Sequence, residues 1–352
     1  MASREPPVID VSPLFASDHD ARADVARNID VACRDQGFFS IVGHGIDPAL
    51  LARLESLARE FFALDDSEKA AIAMARGGRA WRGWFPLGGE LTSGVPDRKE
   101  GVYFGEELTP DDPRVVARLP LHGPNLFPAR PAALRTAVLE TLDALTFLGH
   151  RLMTGFALAL GLDAGWFDRA LTADPVILFR IFHYPALAGA GASAEPGAGF
   201  GTDSGTDGDA GSGWGVAEHT DYGLLTILYQ DDGGGLELHT RDGWVEVPPH
   251  PGALVCNLGD MLERMTGGAY RSTPHRVRPP VGRDRIACPF FFDPGWDAQV
   301  RPILDPAHVL DVHDGADRWD GASVFDFDGT YGDYLLDKVS KVFPALRDQA
   351  LQ

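Results

Sequence analysis

Residues 214–230 read WGVAEHTDYGLLTILYQ and place a histidine and a carboxylate two positions apart on a predicted β-strand. Side chains at positions i and i+2 of an extended strand point to the same face of the sheet. His219 and Asp221 are therefore predicted to reach one metal ion together, with a third ligand supplied from elsewhere in the fold. His275, in the segment RSTPHRV, is the candidate for that third ligand.

Two histidines and one carboxylate on one side of a metal ion are typical of non-haem Fe(II) oxygenases, and they leave three coordination positions open. Those positions have room for a bidentate organic cosubstrate and for dioxygen. The motif is short, and roughly one His-x-Asp is expected by chance in a chain with eleven histidines. The chain holds a single such motif, and it lies between a turn and a β-type run, which favours the metal interpretation.

The composition is that of an ordinary globular protein, with 352 residues, 44% hydrophobic and 23% charged. We expect a cytoplasmic protein, because no apolar run approaches the roughly 18 residues of a membrane span and the N-terminus lacks the features of a signal peptide. The formal net charge of −20 argues against nucleic acid or an anionic membrane as a partner. A small molecule is the expected partner, and the sequence does not predict an oligomeric state.

Three widely separated cysteines, Cys33, Cys256 and Cys288, form no C-x-x-C pair and are predicted to be free, buried thiols. The first third of the chain alternates helical and strand patterns. Residues 20–36 and 47–75 are predicted to be helical, and a long helix is predicted at 131–160.

The second half of the chain carries the strand signals. Residues 189–213 are rich in glycine and acidic side chains, which indicates a flexible insertion. From 214 to 293 strand patterns recur every eight to twelve residues, as in a sandwich or barrel of short antiparallel strands. A closing helix is predicted at 331–346. We divide the chain into an N-terminal region, 1–125, and a core, 126–352, as parts of one fold.

Several motifs in order resemble one family: FRIFHYP (179–185), the opening stretch, YRSTPHRV (270–277) and GRDRIACPFFFDP (282–294). The chain resembles the isopenicillin N synthase-like branch of the Fe(II)/2-oxoglutarate-dependent dioxygenase superfamily, and the similarity extends to both ends of the chain. The resemblance implies a mainly β core, a double-stranded β-helix (jelly roll), with flanking α-helices, an N-terminal α/β region and a C-terminal helix.

The resemblance also implies roles for particular residues. His219, Asp221 and His275 fall on the family's metal ligands, and Arg285 falls on the arginine that pairs with the distal carboxylate of 2-oxoglutarate. Tyr184 matches a tyrosine whose hydroxyl helps to hold that carboxylate. The role of Arg285 has an independent reason, since a buried carboxylate needs a planar, permanently charged, bidentate donor.

Two positions depart from the family pattern. Ala287 stands where the family's Arg-x-Ser motif has serine, and Phe182 stands where an asparagine is often found. The loss of one hydrogen bond to a charged group costs about 1.5–3 kcal/mol if nothing replaces it. We therefore expect 2-oxoglutarate to bind more weakly here, or in a different orientation.

The implied activity is the oxidation of a small organic molecule with Fe(II), 2-oxoglutarate and O2, and with release of succinate and CO2. Hydroxylation is the default outcome, and desaturation or cyclisation are the others. One alternative is an iron-dependent oxidase of the same fold that does not use 2-oxoglutarate, as isopenicillin N synthase does not. A remote alternative is a non-enzymatic jelly-roll binding protein, and Arg285 argues against a zinc hydrolase. The candidate substrate residues are Arg82, Trp84, Arg98, Phe104, Phe182 and Phe292.

Overall fold

The computed structural model describes residues 5–187, 213–303 and 327–343. The predicted insertion at 189–213 lies outside this described part, except for its last residue. Cys33, Cys256 and Cys288 are free and buried, as predicted. Within the described ranges, no helix has the length and apolar character needed to cross a bilayer.

The helices of the described residues range from single turns of four residues to one helix of 26 residues. They are α1 (His19–Asp35), α2 (Pro48–Phe62), α3 (Asp66–Lys69), α4 (Pro113–Val116), α5 (Leu134–Ala159), α6 (Trp166–Ala170), α7 (Asp260–Met265) and α8 (Tyr331–Val342), with 3-10 turns at Ser12–Phe15, Ala70–Ile72, Met74–Arg76 and Gly78–Ala80.

The predicted helical region 47–75 is wrong in its second half. Helix α2 ends at Phe62, and Asp65 adopts an extended conformation before the single turn of α3. Two 3-10 turns follow in place of a continuous helix. Asp65 and Asp66 favour helix starts over helix interiors, so the apolar periodicity alone overestimated the length.

The strands are β1 (Val8–Asp10), β2 (Phe38–Val42), β3 (Gly83–Phe85), β4 (Leu91–Thr92), β5 (Val95–Pro96), β6 (Glu100–Gly105), β7 (Val176–Tyr184), β8 (Val216–His219), β9 (Leu225–Gln230), β10 (Leu236–Thr240), β11 (Gly243–Glu246), β12 (Leu254–Leu258), β13 (His275–Val277) and β14 (Arg285–Asp293).

Two sheets form the core. The larger has eight strands in the order β1-β2-β12-β9-β14-β7-β6-β3, and the smaller has four in the order β11-β10-β13-β8. Apart from the parallel β1–β2 pair, the paired strands of these sheets are antiparallel. Residues of both sheets line one cavity, as in a jelly roll, and the predicted fold class is confirmed.

Helix α5 supports the larger sheet from outside. One side of it carries a buried row that includes Leu145, Leu148 and Leu152. Gly149 lets the helix approach strand β14 closely, because a Cβ atom at this position would lie 2.5 Å from the ring of Phe292. The helix therefore fixes the outer face of a strand whose inner face lines the cavity.

Strands β3 and β6 of the N-terminal region are members of the larger sheet. The predicted boundary near residue 125 therefore separates two segments of chain that share a sheet, and the division itself stays a prediction.

Helix α8 closes the described part of the chain. It begins with a capping box, in which the side chains of Thr330 and Asp333 each accept a hydrogen bond from the other's backbone N–H group. The hydroxyl of Tyr331 donates to Asp293 Oδ2 at 2.5 Å, and both residues are buried. This bond ties the helix to the end of strand β14.

We expect Tyr331→Phe to lower the free energy of unfolding by about 1–3 kcal/mol, because the substitution leaves the buried Asp293 oxygen without its donor. Urea denaturation followed by circular dichroism measures the change. Tyr229→Phe is the matched control, since its partner Glu55 is only partly buried and water can replace the lost hydroxyl. Equal effects of the two substitutions would contradict a structural role for the Tyr331 bond.

Candidate metal centre

Two strand ends and one turn bring three potential metal ligands together. His219 is the last residue of β8, and His275 is the first residue of β13. The two histidines are direct partners in the antiparallel register of these strands. Asp221 lies beyond the end of β8, in the loop that leads to β9. The prediction that Asp221 lies on the same strand as His219 is therefore wrong, because the strand ends at His219.

The ligand atoms of these residues lie close enough to share one ion. Asp221 Oδ1 is 3.9 Å from His219 Nε2 and 3.8 Å from His275 Nε2, and all three ligand atoms lie within 4.8 Å of one another. Two atoms that each lie about 2.1 Å from an ion can be at most about 4.2 Å apart. The observed separations to the carboxylate satisfy this limit.

Backbone carbonyls orient both imidazoles. Nδ1 of His219 lies 2.8 Å from the carbonyl oxygen of Ala217, and Nδ1 of His275 lies 3.1 Å from that of Thr273. A proton on each Nδ1 satisfies these contacts and leaves both Nε2 lone pairs free for a metal. Burial, reinforced by the neighbouring His275, lowers the pKa of His219 to about 3, so its ring is neutral at physiological pH.

Asp221 is held by two donors on one of its oxygens. Oδ2 accepts hydrogen bonds of 2.6 Å from both Thr226 Oγ1 and Asn257 Nδ2, which leaves Oδ1 to face the histidines. Burial opposes ionisation, but His275, His219 and these two donors together hold the pKa of Asp221 below its usual value. A neutral-histidine, ionised-carboxylate set is the protonation state that a divalent metal requires.

Arg285 lies in the same cavity and has unused donors. It is 1% exposed, opens strand β14 and is the register partner of Tyr184, whose ring lies 4.9 Å from the guanidinium carbon. Its Nη2 donates to Gln230 Oε1 at 3.1 Å. Among the described residues, its buried Nε and Nη1 have no hydrogen-bond partner. Unpaired buried donors are costly, so this site fits a carboxylate ligand.

Ala287 and Phe182, the two departures from the family pattern, lie next to each other on neighbouring strands of the larger sheet. Ala287 is the register partner of both Phe182 and Gln230, and all three positions lie close to Arg285 along the strands. Ala287 and Phe182 both line the cavity. The cavity has a volume of about 560 Å³, within the range of roughly 300–1,000 Å³ that is usual for small-molecule sites.

The predicted substrate residues are distributed unevenly. Phe182 lines the cavity, whereas in the described part of the chain Arg82, Trp84, Arg98, Phe104 and Phe292 are not among its lining residues.

The contacts of these residues explain why they do not line the cavity. Arg82 donates to the carbonyls of Phe104 and Leu121, and Trp84 donates to Glu100. Phe104 stacks on Phe127, and the ring of Phe292 points outward to α5. Strand alternation sends Phe292 away from the cavity while it sends its neighbours Phe291 and Asp293 inward.

Several polar residues were not predicted from the sequence: Glu90, Lys99, Arg180 and Asn257 line the cavity, and Gln230 accepts a hydrogen bond from Arg285. Arg180 had a signal that could have found it. It precedes Tyr184 by four positions on one strand, so both side chains face the same side of the sheet. Glu90 and Lys99 lie in a segment whose turns give no periodic signal.

Comparison with known proteins identifies the family. Residues 6–130 match the family model described as the non-haem dioxygenase in morphine synthesis N-terminal domain, and residues 202–294 match the 2OG-Fe(II) oxygenase superfamily. A Dictyostelium discoideum protein named as a probable iron/ascorbate oxidoreductase is 45% identical over 98% of this chain and 96% of its own. A homoarginine-6-hydroxylase of Glycine max is 34% identical over 95% and 96% of the two chains.

A solved structure agrees in fold. The 2OG-Fe(II) oxygenase family protein of Caulobacter crescentus has a TM-score of 0.73 and 25% identity, covering 97% of this chain and 99% of that one. The chain belongs to the 2OG-Fe(II) oxygenase superfamily. It is an oxidoreductase that uses Fe(II), 2-oxoglutarate and O2 to oxidise a small molecule.

We expect Asn257→Leu to weaken divalent metal binding about 10- to 100-fold, because Asp221 loses one of the two donors that orient it. His219→Ala removes a ligand and is expected to abolish tight binding. Anaerobic calorimetry with Fe(II) measures both. Asn125→Leu is the control, since it also replaces a buried amide, one that hydrogen-bonds Gly105 outside the cavity. Unchanged iron affinity in His219→Ala would exclude this metal centre.

Proposed function

We propose that His219, Asp221 and His275 hold the catalytic Fe(II) of this enzyme and that Arg285, with Tyr184, holds the distal carboxylate of 2-oxoglutarate. The observation that carries the proposal is the presence, in one cavity, of three convergent ligand atoms and a buried guanidinium, two of whose nitrogen atoms have no hydrogen-bond partner in the described part of the chain. When bound, the iron supplies the activation of dioxygen and the oxidising power that the side chains of the protein lack.

The remaining residues position the cosubstrate and keep water away. Gln230 accepts one N–H of Arg285 and so fixes the plane of the guanidinium, leaving the other donors for the cosubstrate. Tyr184 is a buried residue, 2% exposed, and its hydroxyl is a second donor for the carboxylate. Val216, Leu228 and Leu236 supply apolar walls, and exclusion of water strengthens each charge–charge contact in the cavity.

The relative from Glycine max, named as a homoarginine hydroxylase, supports a small-molecule substrate, with amino acids as the first class to screen. Hydroxylation is the reaction we propose, with desaturation or cyclisation as other outcomes of the same oxidant. The net charge of −20 supports an enzyme without nucleic-acid or membrane partners, and we propose that it acts in the cytoplasm.

We expect the wild-type protein to form a visible charge-transfer band with Fe(II) and 2-oxoglutarate under anaerobic conditions, and to release succinate when oxygen is admitted. Arg285→Gln is expected to weaken 2-oxoglutarate binding about 10- to 100-fold or more, because a charge-assisted pair is lost. Iron affinity in this variant should stay unchanged.

Arg283→Gln is the matched control, because Arg283 is an exposed arginine on the same segment and pairs with Asp232 at the surface. Substrate oxidation without succinate, from protein with iron bound, would contradict the cosubstrate assignment. It would favour the iron-dependent oxidase, an outcome consistent with the name of the 45% identical relative, which mentions ascorbate.

Restoring the missing hydroxyl is a gain-of-function test. We expect Ala287→Ser to lower the KM for 2-oxoglutarate about tenfold, because the new hydroxyl adds a hydrogen bond to a charged group beside Arg285. Succinate formation at varied 2-oxoglutarate concentration measures the change. A higher KM would show that the cosubstrate carboxylate does not lie next to position 287.

A further inference from the structure

A second buried arginine lines the same cavity with unused hydrogen-bonding capacity. The Arg180 side chain is 14% exposed, and its nearest carboxylate is Glu90, 3.7 Å from Nη1 to Oε1. Its buried Nε has no hydrogen-bond partner among the described residues. The guanidinium carbon lies 4.1 Å from the centre of the Tyr103 ring and 4.7 Å from that of Phe291, so two aromatic rings hold the group in place.

Arg180, like Arg285, is a buried arginine of the cavity with a hydrogen-bond donor that has no partner among the described residues, so it too fits a carboxylate ligand. One 2-oxoglutarate molecule is too short to bind both arginines through its two carboxylates. Arg180 precedes Tyr184, the register partner of Arg285, by four residues, or about 13 Å along the strand. Phe291, which contacts Arg180, lies six residues or about 20 Å from Arg285 along β14. The carboxyl carbons of 2-oxoglutarate are only about 5 Å apart, given C–C bonds of about 1.5 Å.

Glu90 determines what kind of ligand fits beside Arg180. It is 4% exposed, lines the cavity and lies 3.1 Å from Lys99 Nζ through Oε2. Lys99 in turn contacts Asp97 Oδ2 at 2.5 Å. Although burial alone would raise it, Lys99 and Arg180 hold the pKa of Glu90 below its usual value, so Glu90 is ionised.

Arg180 and Lys99 carry two positive charges, and Glu90 and Asp97 carry two negative charges, so this group of four side chains has no net charge. A bare carboxylate placed next to it would bring an uncompensated charge into a buried site, which is strongly unfavourable. A ligand that carries a carboxylate and a neighbouring cation adds no net charge. Its carboxylate would complement the unpaired Arg180 donor, and its ammonium group would complement Glu90.

We propose that Arg180 and Glu90 form the substrate subsite of this oxygenase, and that the subsite recognises the carboxylate and adjacent ammonium group of an α-amino acid. The inference rests on the proposed function, because it assigns the second carboxylate of the cavity to the substrate and the first to 2-oxoglutarate. Lys338 of α8 lines the same cavity. The helix therefore lies beside the space that the substrate would fill.

The test uses the full chain loaded anaerobically with Mn(II), which replaces iron without redox turnover, and with 2-oxoglutarate. Calorimetry with the twenty common L-amino acids identifies the tightest binder, which is then compared with its carboxamide and with the acid that lacks the amino group. We expect each modified ligand to bind at least tenfold more weakly, because each loses one charged contact. This comparison needs no substitution in the protein.

The substitutions Arg180→Lys and Glu90→Gln test which protein residue recognises the carboxylate and which recognises the amino group. We expect Arg180→Lys to weaken the amino acid at least tenfold and to leave the carboxamide nearly unchanged, and Glu90→Gln to remove the preference for the amino group. Arg53→Lys is the matched control, since Arg53 is half-exposed and pairs with Glu140 on the surface.

Three results would overturn the subsite: none of the twenty amino acids binds, the carboxamide binds as tightly as the acid, or Arg180→Lys weakens 2-oxoglutarate instead. Failure of the proposed function is visible separately. It would appear as an absence of 2-oxoglutarate binding to the Mn(II)-loaded wild-type protein before any amino acid is added.

Discussion

The antiparallel pairing of β8 with β13 is the contact on which the centre depends. It joins residues far apart in the chain and sets His219 opposite His275 at the edge of the cavity. The loop after β8 carries Asp221, whose Oδ1 lies within 4 Å of both histidines, and Asn257 and Thr226 hold the carboxylate in place. Strands β8 and β13 belong to the smaller sheet, whereas Thr226 and Asn257 lie on strands β9 and β12 of the larger sheet. Both sheets therefore contribute to the position of the three ligands.

Two buried arginines, Arg285 and Arg180, are the main polar feature of the rest of the cavity. Most buried polar groups in proteins are hydrogen-bonded, so two buried arginines in one cavity that have N–H groups without a partner among the described residues call for an explanation. Arg285 and Arg180 lie at different levels of the barrel, and each has aromatic contacts that hold its guanidinium in place. In our proposal Arg285 binds the distal carboxylate of the cosubstrate, and Arg180 binds the carboxylate of the substrate.

The sequence predicted the parts of the fold that depend on local patterns. The spaced strand signals of the second half, the long helix and the two-histidine, one-carboxylate set all follow from periodicity, turn residues and a motif with chemical meaning. The position of Asp221 did not, because the predicted strand ends at His219 and a loop follows it. Asn257 and Gln230 could not be found either, since their importance comes only from neighbours in space. Phe292 does not reach the cavity because alternation along a strand needs an exact register, which the sequence does not provide. Arg82, Trp84 and Phe104 are held by neighbours in space that the sequence does not show.

A crystal structure of the complex with Mn(II) and 2-oxoglutarate would show which residues bind the ion and the cosubstrate. We expect one ion bound by His219, Asp221 and His275, and the distal carboxylate of 2-oxoglutarate on Arg285, with Arg180 left free for a second ligand. An ion held by other residues, or a cosubstrate whose distal carboxylate lies on Arg180, would contradict this expectation.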